Sequence, residues 1–264
     1  WSSYMDIFYK LNNLRPGGVE VIMSPTIYDR TRVRWSTIGA TVPSSFGLNS
    51  GSNADVPTHN ITKNFAMANG LPITDPASGY NELDPWTNRE PRFYKFIAID
   101  GEKWWSASGP DMYAQLYNGG RHRSGINPPS VTGYYQKKFN GLSPTFSTSI
   151  ANQLMAYVPY LRMADIYLMY AEAVLFSPGG TPQSTSSNFS MTAVEAVNAV
   201  RNRAQLPNLD PKYTANRDVF FEEIVRERAV EFMFEGQRFC DLRRWNRNYD
   251  PRYLDKTAID FDRG

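Results

Sequence analysis

Apolar and charged positions alternate with the period of a helix in the final third of the chain. The stretch DVFFEEIVRERAVEFMFEGQRFCDLRRW begins with Asp218, whose carboxylate can accept hydrogen bonds from unpaired backbone N–H groups. We therefore predict that Asp218 caps the helix N-terminus. The apolar positions recur at spacings of four, four and three, which places them on one helix face. They are Phe221, Val225, Ala229 and Phe232.

The same helix carries a row of like charges. Glu227, Glu231 and Glu235 lie four residues apart, so they stack on one stripe, where unpaired carboxylates would destabilise the helix. The stripe therefore predicts cations from elsewhere in the fold and helices that are joined by ion pairs as well as apolar packing. The candidate cations are Arg162, Arg201, Arg203, Arg228 and Arg238.

Two more helices are predicted before this one. In PYLRMADIYLMYAEAVLF, two adjacent apolar rows cover most of the circumference, which predicts a buried helix. The next helix begins at Thr192 with the Thr-x-x-Glu pattern of a capping box. It ends near Pro207, because proline cannot continue the backbone ladder. The two apolar rows are Leu161, Ala164, Leu168, Ala171 and Leu175, and Tyr160, Met163, Tyr167, Tyr170 and Val174.

Residues 15–155 differ in composition from the predicted helices. Turn-forming residues are dense in RPGG, SSFGLNSGSNADVP, TDPASG and GINPPSVTG. Strand-like pieces at residues 19–23, 93–99 and 134–139 lie between them. These features predict a loop-rich layer with a few short β-hairpins.

Composition excludes several classes of protein. With 28 Lys and Arg against 26 Asp and Glu, the net charge of +2 offers no electrostatic footprint for nucleic acid. A single cysteine excludes a disulfide within the chain. No run reaches the roughly 18 apolar residues of a membrane span, and no apolar signal segment precedes the first helix.

Several segments together resemble one known family. PYLRMADIYLMYAEAV, AVNAVRNRAQLP and IVRERAVEFMFEGQRFCDLRRW are similar, in this order, to the C-terminal helical signature of the SusD/RagB family. NGLPITDPASGYNELDPWTNREPRFYKFIAIDG resembles the central segment of that family, and VEVIMSPTI and TGYYQKKF resemble its strands. Family members are typically about twice this length. The resemblance therefore implies the C-terminal half of a longer protein, without its lipid-anchoring cysteine and first helices.

The resemblance implies a fold and a place in the cell. We expect a mainly α fold of tetratricopeptide-like packed helices at 156–264. Residues 1–155 would form a loop-rich, ligand-facing layer with an N-terminal helix and short strands, and the two parts would make one compact unit. The family consists of lipoproteins on the outer-membrane surface.

The resemblance also implies a function without catalysis. Family members bind oligosaccharide and deliver it to a TonB-dependent transporter of the SusC type, and no cofactor is expected. The alternative is a helical-repeat module that binds a peptide or only the transporter, since some family members are associated with peptide uptake.

Aromatic residues give the candidate ligand site. They make up 14% of the chain, and several lie in loops where no core period requires them. A flat aromatic face can stack on a sugar ring while neighbouring polar groups bond its hydroxyls. The competing interpretation is that these rings fix long loops to the helices, which we favour for Trp86 and Trp245. The predicted ligand-binding residues are Trp104, Trp105, Tyr113, Tyr117 and Trp35.

Catalytic and metal sites have weak support. His59 and His122 are the only histidines, and Cys240 sits in a helical apolar pattern typical of a small buried group. A di-metal site in a helical bundle needs Glu-x-x-His motifs on two helices, and the predicted helices around the carboxylate stripe contain no histidine. A glycoside hydrolase would need two carboxylates facing one cleft. Asp84, Glu90, Asp100 and Asp111 are available, but no spacing favours them.

Overall fold

The computed structural model describes residues 8, 20–24, 56–104, 112–125, 129–139 and 159–263. Over these residues the fold is mainly helical with short strands, which confirms the predicted class. The helices are α1 (His59–Thr62), α2 (Pro91–Phe96), α3 (Arg121–Ser124), α4 (Met163–Leu175), α5 (Ala193–Arg203), α6 (Arg217–Glu231), α7 (Gln237–Arg244) and α8 (Pro251–Leu254). The strands are β1 (Val21–Met23), β2 (Ile97–Ala98), β3 (Lys103–Trp104), β4 (Met112–Tyr113), β5 (Tyr135–Gln136) and β6 (Leu161–Arg162). They pair antiparallel as β1–β6, β2–β5 and β3–β4.

Helices α4, α5 and α6 share one apolar core. Leu168 and Ala171 of α4 pack with Val197 of α5 and with Phe220 and Ile224 of α6. The prediction that α4 is buried is confirmed for most of the two apolar rows, whose members within the helix are buried or half-buried. Its outer face leaves Ile166, Met169 and Phe176 exposed, because these positions lie away from the row that contacts α5 and α6. The helix also begins two residues after Leu161, which belongs to strand β6, and Tyr160 is exposed.

Local capping explains where two of these helices begin. The capping box at α5 is present, since the Thr192 hydroxyl accepts from the Glu195 backbone and the Glu195 carboxylate accepts from the Thr192 backbone. The prediction of Asp218 as the N-cap of α6 is wrong. Asn216 caps the helix, with its side chain 3.0 Å from the Val219 nitrogen, and Asp218 lies within the first turn. There its charge still opposes the positive end of the helix dipole.

A second core lies under the loop layer. Phe65, Phe93, Phe96 and Tyr134 pack there against Val230 of α6. The strand predicted at 93–99 is wrong for its first part, because Pro91 occupies the first turn of α2, where its fixed φ favours a helix. Only Ile97–Ala98 continue as strand β2, and within 134–139 only Tyr135–Gln136 form strand β5. The strand predicted at 19–23 is confirmed for Val21–Met23.

The glutamate stripe is buried among cations, as predicted, but it does not lie on one helix: α6 ends at Glu231, and Glu235 lies in the turn before α7. Glu231 binds Arg162 at 2.5 Å and Arg92 at 3.0 Å and also contacts Arg203. The five carboxylates and five cations of this network, hereafter the ion network, are all buried except Arg203, whose side chain is 18% exposed. The carboxylates are Glu20, Glu90, Glu227, Glu231 and Glu235, and the cations are Arg92, Lys138, Arg162, Arg201 and Arg203.

Three of the five arginines predicted to face the stripe do so, and two do not. Arg228 pairs instead with Asp241 at 2.8 Å, and Arg238 donates to the Val225 carbonyl at 3.1 Å. Arg92 of α2 and Lys138, which lie far away in sequence, take the remaining places around the stripe. The Lys138 ammonium group is 2.7 Å from Glu235 and 4.2 Å from the centre of the Phe96 ring.

No helix within the described ranges combines the length and the apolar character that a bilayer crossing requires.

Candidate functional site

The β3–β4 hairpin carries two of the five residues predicted to bind ligand, Trp104 and Tyr113. Lys103 lies opposite Tyr113, and Trp104 lies opposite Met112. The ladder continues where the Ala114 nitrogen donates to the Glu102 carbonyl at 2.9 Å. The hairpin is therefore anchored on the side of the turn at residues 100–101.

That turn is held by its own side chain. The Asp100 carboxylate accepts a hydrogen bond from the Leu116 nitrogen at 2.6 Å. Gly101 adopts a φ of +73°, a conformation that a residue without a Cβ adopts readily. The turn thus fixes where strand β3 leaves the body of the protein.

The structure locates part of the predicted aromatic set. Tyr113 is 52% exposed, whereas Ala114 and Leu116 immediately after it are buried. Tyr117 is half-buried, and the Arg263 guanidinium lies 5.5 Å from the centre of its ring. The backbone of Trp104 belongs to β3, but its side chain lies outside the described part of the structure, as do Trp105 and Trp35 entirely.

Polar groups that could form hydrogen bonds with the hydroxyl groups of a sugar lie beside Tyr117. The Asn118 amide donates to the Asp262 carboxylate at 3.0 Å, and its backbone nitrogen donates to the Phe261 carbonyl at 2.8 Å. Arg263 follows directly in the chain. An aromatic face with adjacent amide, carboxylate and guanidinium groups is an arrangement that can recognise a sugar ring.

The C-terminal tail joins this region to the rest of the loop layer. Thr257 accepts from the His59 nitrogen at 2.8 Å and donates its own nitrogen to Asn60 at 2.7 Å. Further along, the Ile259 nitrogen donates to the Thr132 carbonyl at 3.1 Å. The tail therefore runs from α1 to Asn118 and positions Arg263 against Tyr117.

Two other tryptophans fix the fold, as predicted. The Trp86 ring packs edge-on against Phe261 with ring centres 4.8 Å apart and contacts the core beneath the loop layer. Trp245 donates from its indole nitrogen to Glu172 at 2.8 Å and packs against Phe221.

The two histidines are held neutral by their surroundings. Burial lowers the pKa of His59 to about 4, helped by the charges of Lys63 and Arg89, and its ring lies 3.0 Å from the Tyr134 hydroxyl. Burial likewise lowers the pKa of His122 to about 4, and its ring accepts from the Gln115 nitrogen. Both rings are engaged in structural hydrogen bonds.

The expectation of a buried Cys240 is wrong. Its thiol is exposed, because the face of α7 that carries it turns away from the core. Over the described ranges, no group of three or more His, Cys, Asp and Glu side chains is placed to hold a metal ion.

A cleft of about 740 Å³ lies apart from Tyr113 and Tyr117. It is bounded by the segment around α1, by α6 and by α7 and α8. Tyr113 and Tyr117, the predicted ligand residues whose side chains the structure describes, do not line it. Sequence reasoning missed this cleft because its lining comes from separate stretches of the chain, none of which has a motif of its own.

Comparisons with known proteins identify the family. The SusD family matches residues 20–263. A SusD-like protein from Bacteroides fragilis shares 25% identity and a TM-score of 0.72 over 98% of this chain and 48% of its own. A second B. fragilis structure, a SusD-like carbohydrate-binding protein, shares 20% identity and a TM-score of 0.63 over 93% of this chain and 45% of its own.

A SusD superfamily protein from Bacteroides vulgatus shares 21% identity and a TM-score of 0.51, over 90% of this chain and 44% of its own. The chain thus spans about half the length of these structures. A search of curated proteins returned no match. Because the family match covers nearly the whole sequence, this chain belongs to the SusD family.

Proposed function

We propose that the chain is the glycan-binding part of a surface protein in a nutrient-uptake system, and that it binds without cleaving. Family membership supports this function, and one of the similar structures is described as carbohydrate-binding. The observation that carries the proposal for this chain is the exposure of Tyr113 on a hairpin anchored by buried neighbours. An exposed ring on a fixed backbone can stack on a sugar without rearrangement, which reduces the cost of binding.

The proposed ligand surface comprises the hairpin and the segment that follows it. Tyr113 and Tyr117 would contribute rings, while Asn118 and Arg263 would bond hydroxyls. Trp104, Trp105 and Trp35 remain proposed members of the same surface. The proposed division assigns residues 1–155 to this ligand-facing layer and 156–264 to the tetratricopeptide-like helices. The shared core of Phe96 and Val230 supports one compact unit.

The proposal extends to location and partner. The protein would act on the outer face of the outer membrane, attached there as a lipoprotein, and would pass oligosaccharide to a TonB-dependent transporter of the SusC type. The family supports this placement. Co-purification of the full-length parent with a tagged SusC-type transporter, solubilised from outer membranes, tests the partnership.

A glycan array followed by calorimetry tests the ligand surface. We expect Tyr113→Ala to weaken glycan binding by about 1–3 kcal/mol, as for an aromatic contact at a binding centre. The melting temperature should barely change, because a half-exposed ring contributes little to the core. Tyr249→Ala is the matched control, since Tyr249 is 78% exposed and lies outside the proposed surface. Equal loss in both variants would refute the assignment.

The array also separates the alternatives. Binding to peptides but to no glycan would favour the peptide-uptake function. Glycans recovered unchanged after incubation would support binding without cleavage. A new reducing end, lost on replacing one Asp or Glu, would identify a hydrolase instead.

A further inference from the structure

The cleft between α1 and α6 has an apolar interior. Side chains from three parts of the chain meet along its floor and walls. They include Ile61, Val225, Ala229, Met233, Phe234 and Leu242. A volume of about 740 Å³ is within the usual range for small-molecule sites, roughly 300–1,000 Å³.

Positive charge predominates among the ionisable residues of the cleft. Its lining contains five cations and two carboxylates, an excess of three positive charges. The cations are Lys63, Arg226, Arg238, Arg252 and Lys256. Glu223 pairs with Arg226, Glu222 pairs at 2.5 Å with Arg247 outside the lining, and Arg252 pairs at 2.5 Å with Asp250, also outside it. The remaining cations of the lining are Lys63, Arg238 and Lys256.

Arg238 lies at the centre of this imbalance. Its guanidinium donates to the Val225 carbonyl at 3.1 Å and lies 5.2 Å from the centre of the Tyr253 ring. Within the described ranges, no carboxylate approaches it closely enough to form an ion pair. Burial lowers the pKa of Arg238, and the opposing attraction of Tyr253 and Asp241 does not fully offset it. An anion in the cleft would provide a directly paired carboxylate, sulfate or sulfonate group for Arg238.

Hydrogen-bonding groups for a neutral sugar are scarce by comparison. The Asn60 side-chain oxygen already accepts from the nitrogen and hydroxyl of Thr257, at 2.7 and 2.8 Å. The Tyr213 hydroxyl is engaged with Asp75 at 2.5 Å. The lining therefore favours a ligand with an apolar body and a negative group over a polyhydroxylated one.

We propose that this cleft is a second binding site, for a small anionic amphiphile: a carboxylate, sulfate or sulfonate attached to an apolar body. The apolar part would lie on Val225, Ala229 and Met233. The anionic group would face Arg238, with Lys63 and Lys256 contributing longer-range attraction. The site is separate from the hairpin and does not depend on the proposed function.

Two fluorescent probes that differ mainly by one charge test the proposal. The probes are 8-anilinonaphthalene-1-sulfonate and uncharged N-phenyl-1-naphthylamine, titrated separately into the intact chain. We expect the sulfonate to bind at least about tenfold more tightly, which corresponds to roughly 1.4 kcal/mol. Raising the salt from 0.1 to 1 M should weaken binding of the sulfonate only, because the screening length falls from about 10 to 3 Å. Equal affinity for the two probes would overturn the proposal.

A double charge-reversal variant tests whether the lysines of the cleft cause the preference for the charged probe. Lys63 and Lys256 are exposed, so Lys63→Glu with Lys256→Glu should fold normally and weaken sulfonate binding by about tenfold. The control combines Arg121→Glu with Arg243→Glu, which makes the same change in net charge at exposed positions outside the lining. Equal weakening in both double variants would show that only the overall charge matters and would overturn the proposal.

Methionine methyl NMR then reports where the probe binds. Met233 lines the cleft, whereas Met169 lies on the outer face of α4. The sulfonate should shift the Met233 methyl resonance and leave that of Met169 unchanged. A shift confined to Met169, or absent from Met233, would overturn the proposal. Binding of a Glu-rich amphipathic peptide without binding of the sulfonate would assign the cleft to a protein partner and would also overturn it.

Discussion

Replacing Glu231 by glutamine tests whether the ion network stabilises the fold. Glu231 is fully buried, and three guanidinium groups, from Arg92, Arg162 and Arg203, contact its carboxylate. Glutamine keeps the shape of the side chain, so the substitution removes charge without opening a cavity. The ion network then changes from five acids and five cations to four acids and five cations.

The expected cost follows from the uncompensated charge. Removing one partner from a buried ion pair typically destabilises a protein by about 3–5 kcal/mol. We expect Glu231→Gln to lower the free energy of unfolding by this amount. Glu222→Gln on the same helix is the control, because Glu222 also pairs with an arginine, Arg247, but is half exposed. An exposed pair of this kind contributes about 0–1 kcal/mol.

Urea unfolding followed by circular dichroism measures both variants. Comparable losses for Glu231→Gln and Glu222→Gln, or a loss below about 1 kcal/mol for Glu231→Gln, would refute the argument. Glu227→Gln provides a second measurement if Glu231→Gln does not fold, because Glu227 contacts Arg92 at 2.5 Å and Arg201 only at 3.7 Å. It should also cost clearly more than Glu222→Gln.

The pH dependence gives an independent check. Burial opposes ionisation of Glu231, but Arg203, Arg162 and Arg92 outweigh it and hold its pKa well below the usual 4.5. A carboxyl group with a lowered folded-state pKa stabilises fully above its unfolded pKa and loses that contribution as the pH falls. The difference between wild type and Glu231→Gln should therefore be constant from pH 7 to 5 and shrink only below about pH 4.5.

Two further predictions concern Lys138 and Gly133. Burial lowers the pKa of Lys138 to about 8 despite Glu235, so between pH 8 and 10.5 the unfolded chain binds more protons than the folded one. Relative to Lys138→Met, wild-type stability should rise over this range by up to about 3 kcal/mol in urea melts; a fall would contradict the assignment. Gly133 has a φ of +79°, and a Cβ there would lie 2.6 Å from the Ile259 carbonyl. Gly133→Ala should therefore speed hydrogen exchange at Ile259, whereas unchanged exchange would show that the tail accommodates the methyl group.

Periodicity predicted the helical region well because it reports local structure. The three glutamates four residues apart required partners, and Arg162, Arg201 and Arg203 provide them. The contributions of Arg92 and Lys138 could not be predicted, since these residues lie 139 and 97 positions from their partners Glu231 and Glu235. No local pattern reports contacts at such separations.

Errors at helix ends have a similar origin. Asn216 and Asp218 are both good capping residues, and a local pattern does not decide between two positions so close together. Residues 93–99 lie as a strand-like piece between turn-rich stretches, but Pro91 at the first helical turn favours α2. In the candidate site, the sequence indicated Tyr113 and Tyr117 as aromatic residues that no hydrophobic periodicity assigns to the core. It could not predict that Tyr117 lies beside Arg263, because the C-terminal tail brings Arg263 there.

The ion network has a consequence for how fast the chain folds. Its contacts join residues separated by 183 positions between Glu20 and Arg203 and by 139 between Arg92 and Glu231. An ionised group loses hydration favourably only once its partners have arrived, and distant partners meet slowly. We expect the network charges to stay hydrated through early collapse and to dehydrate together near the end of folding. Unfolding would then require water to reach several charges before the helices separate, which favours a slow unfolding rate.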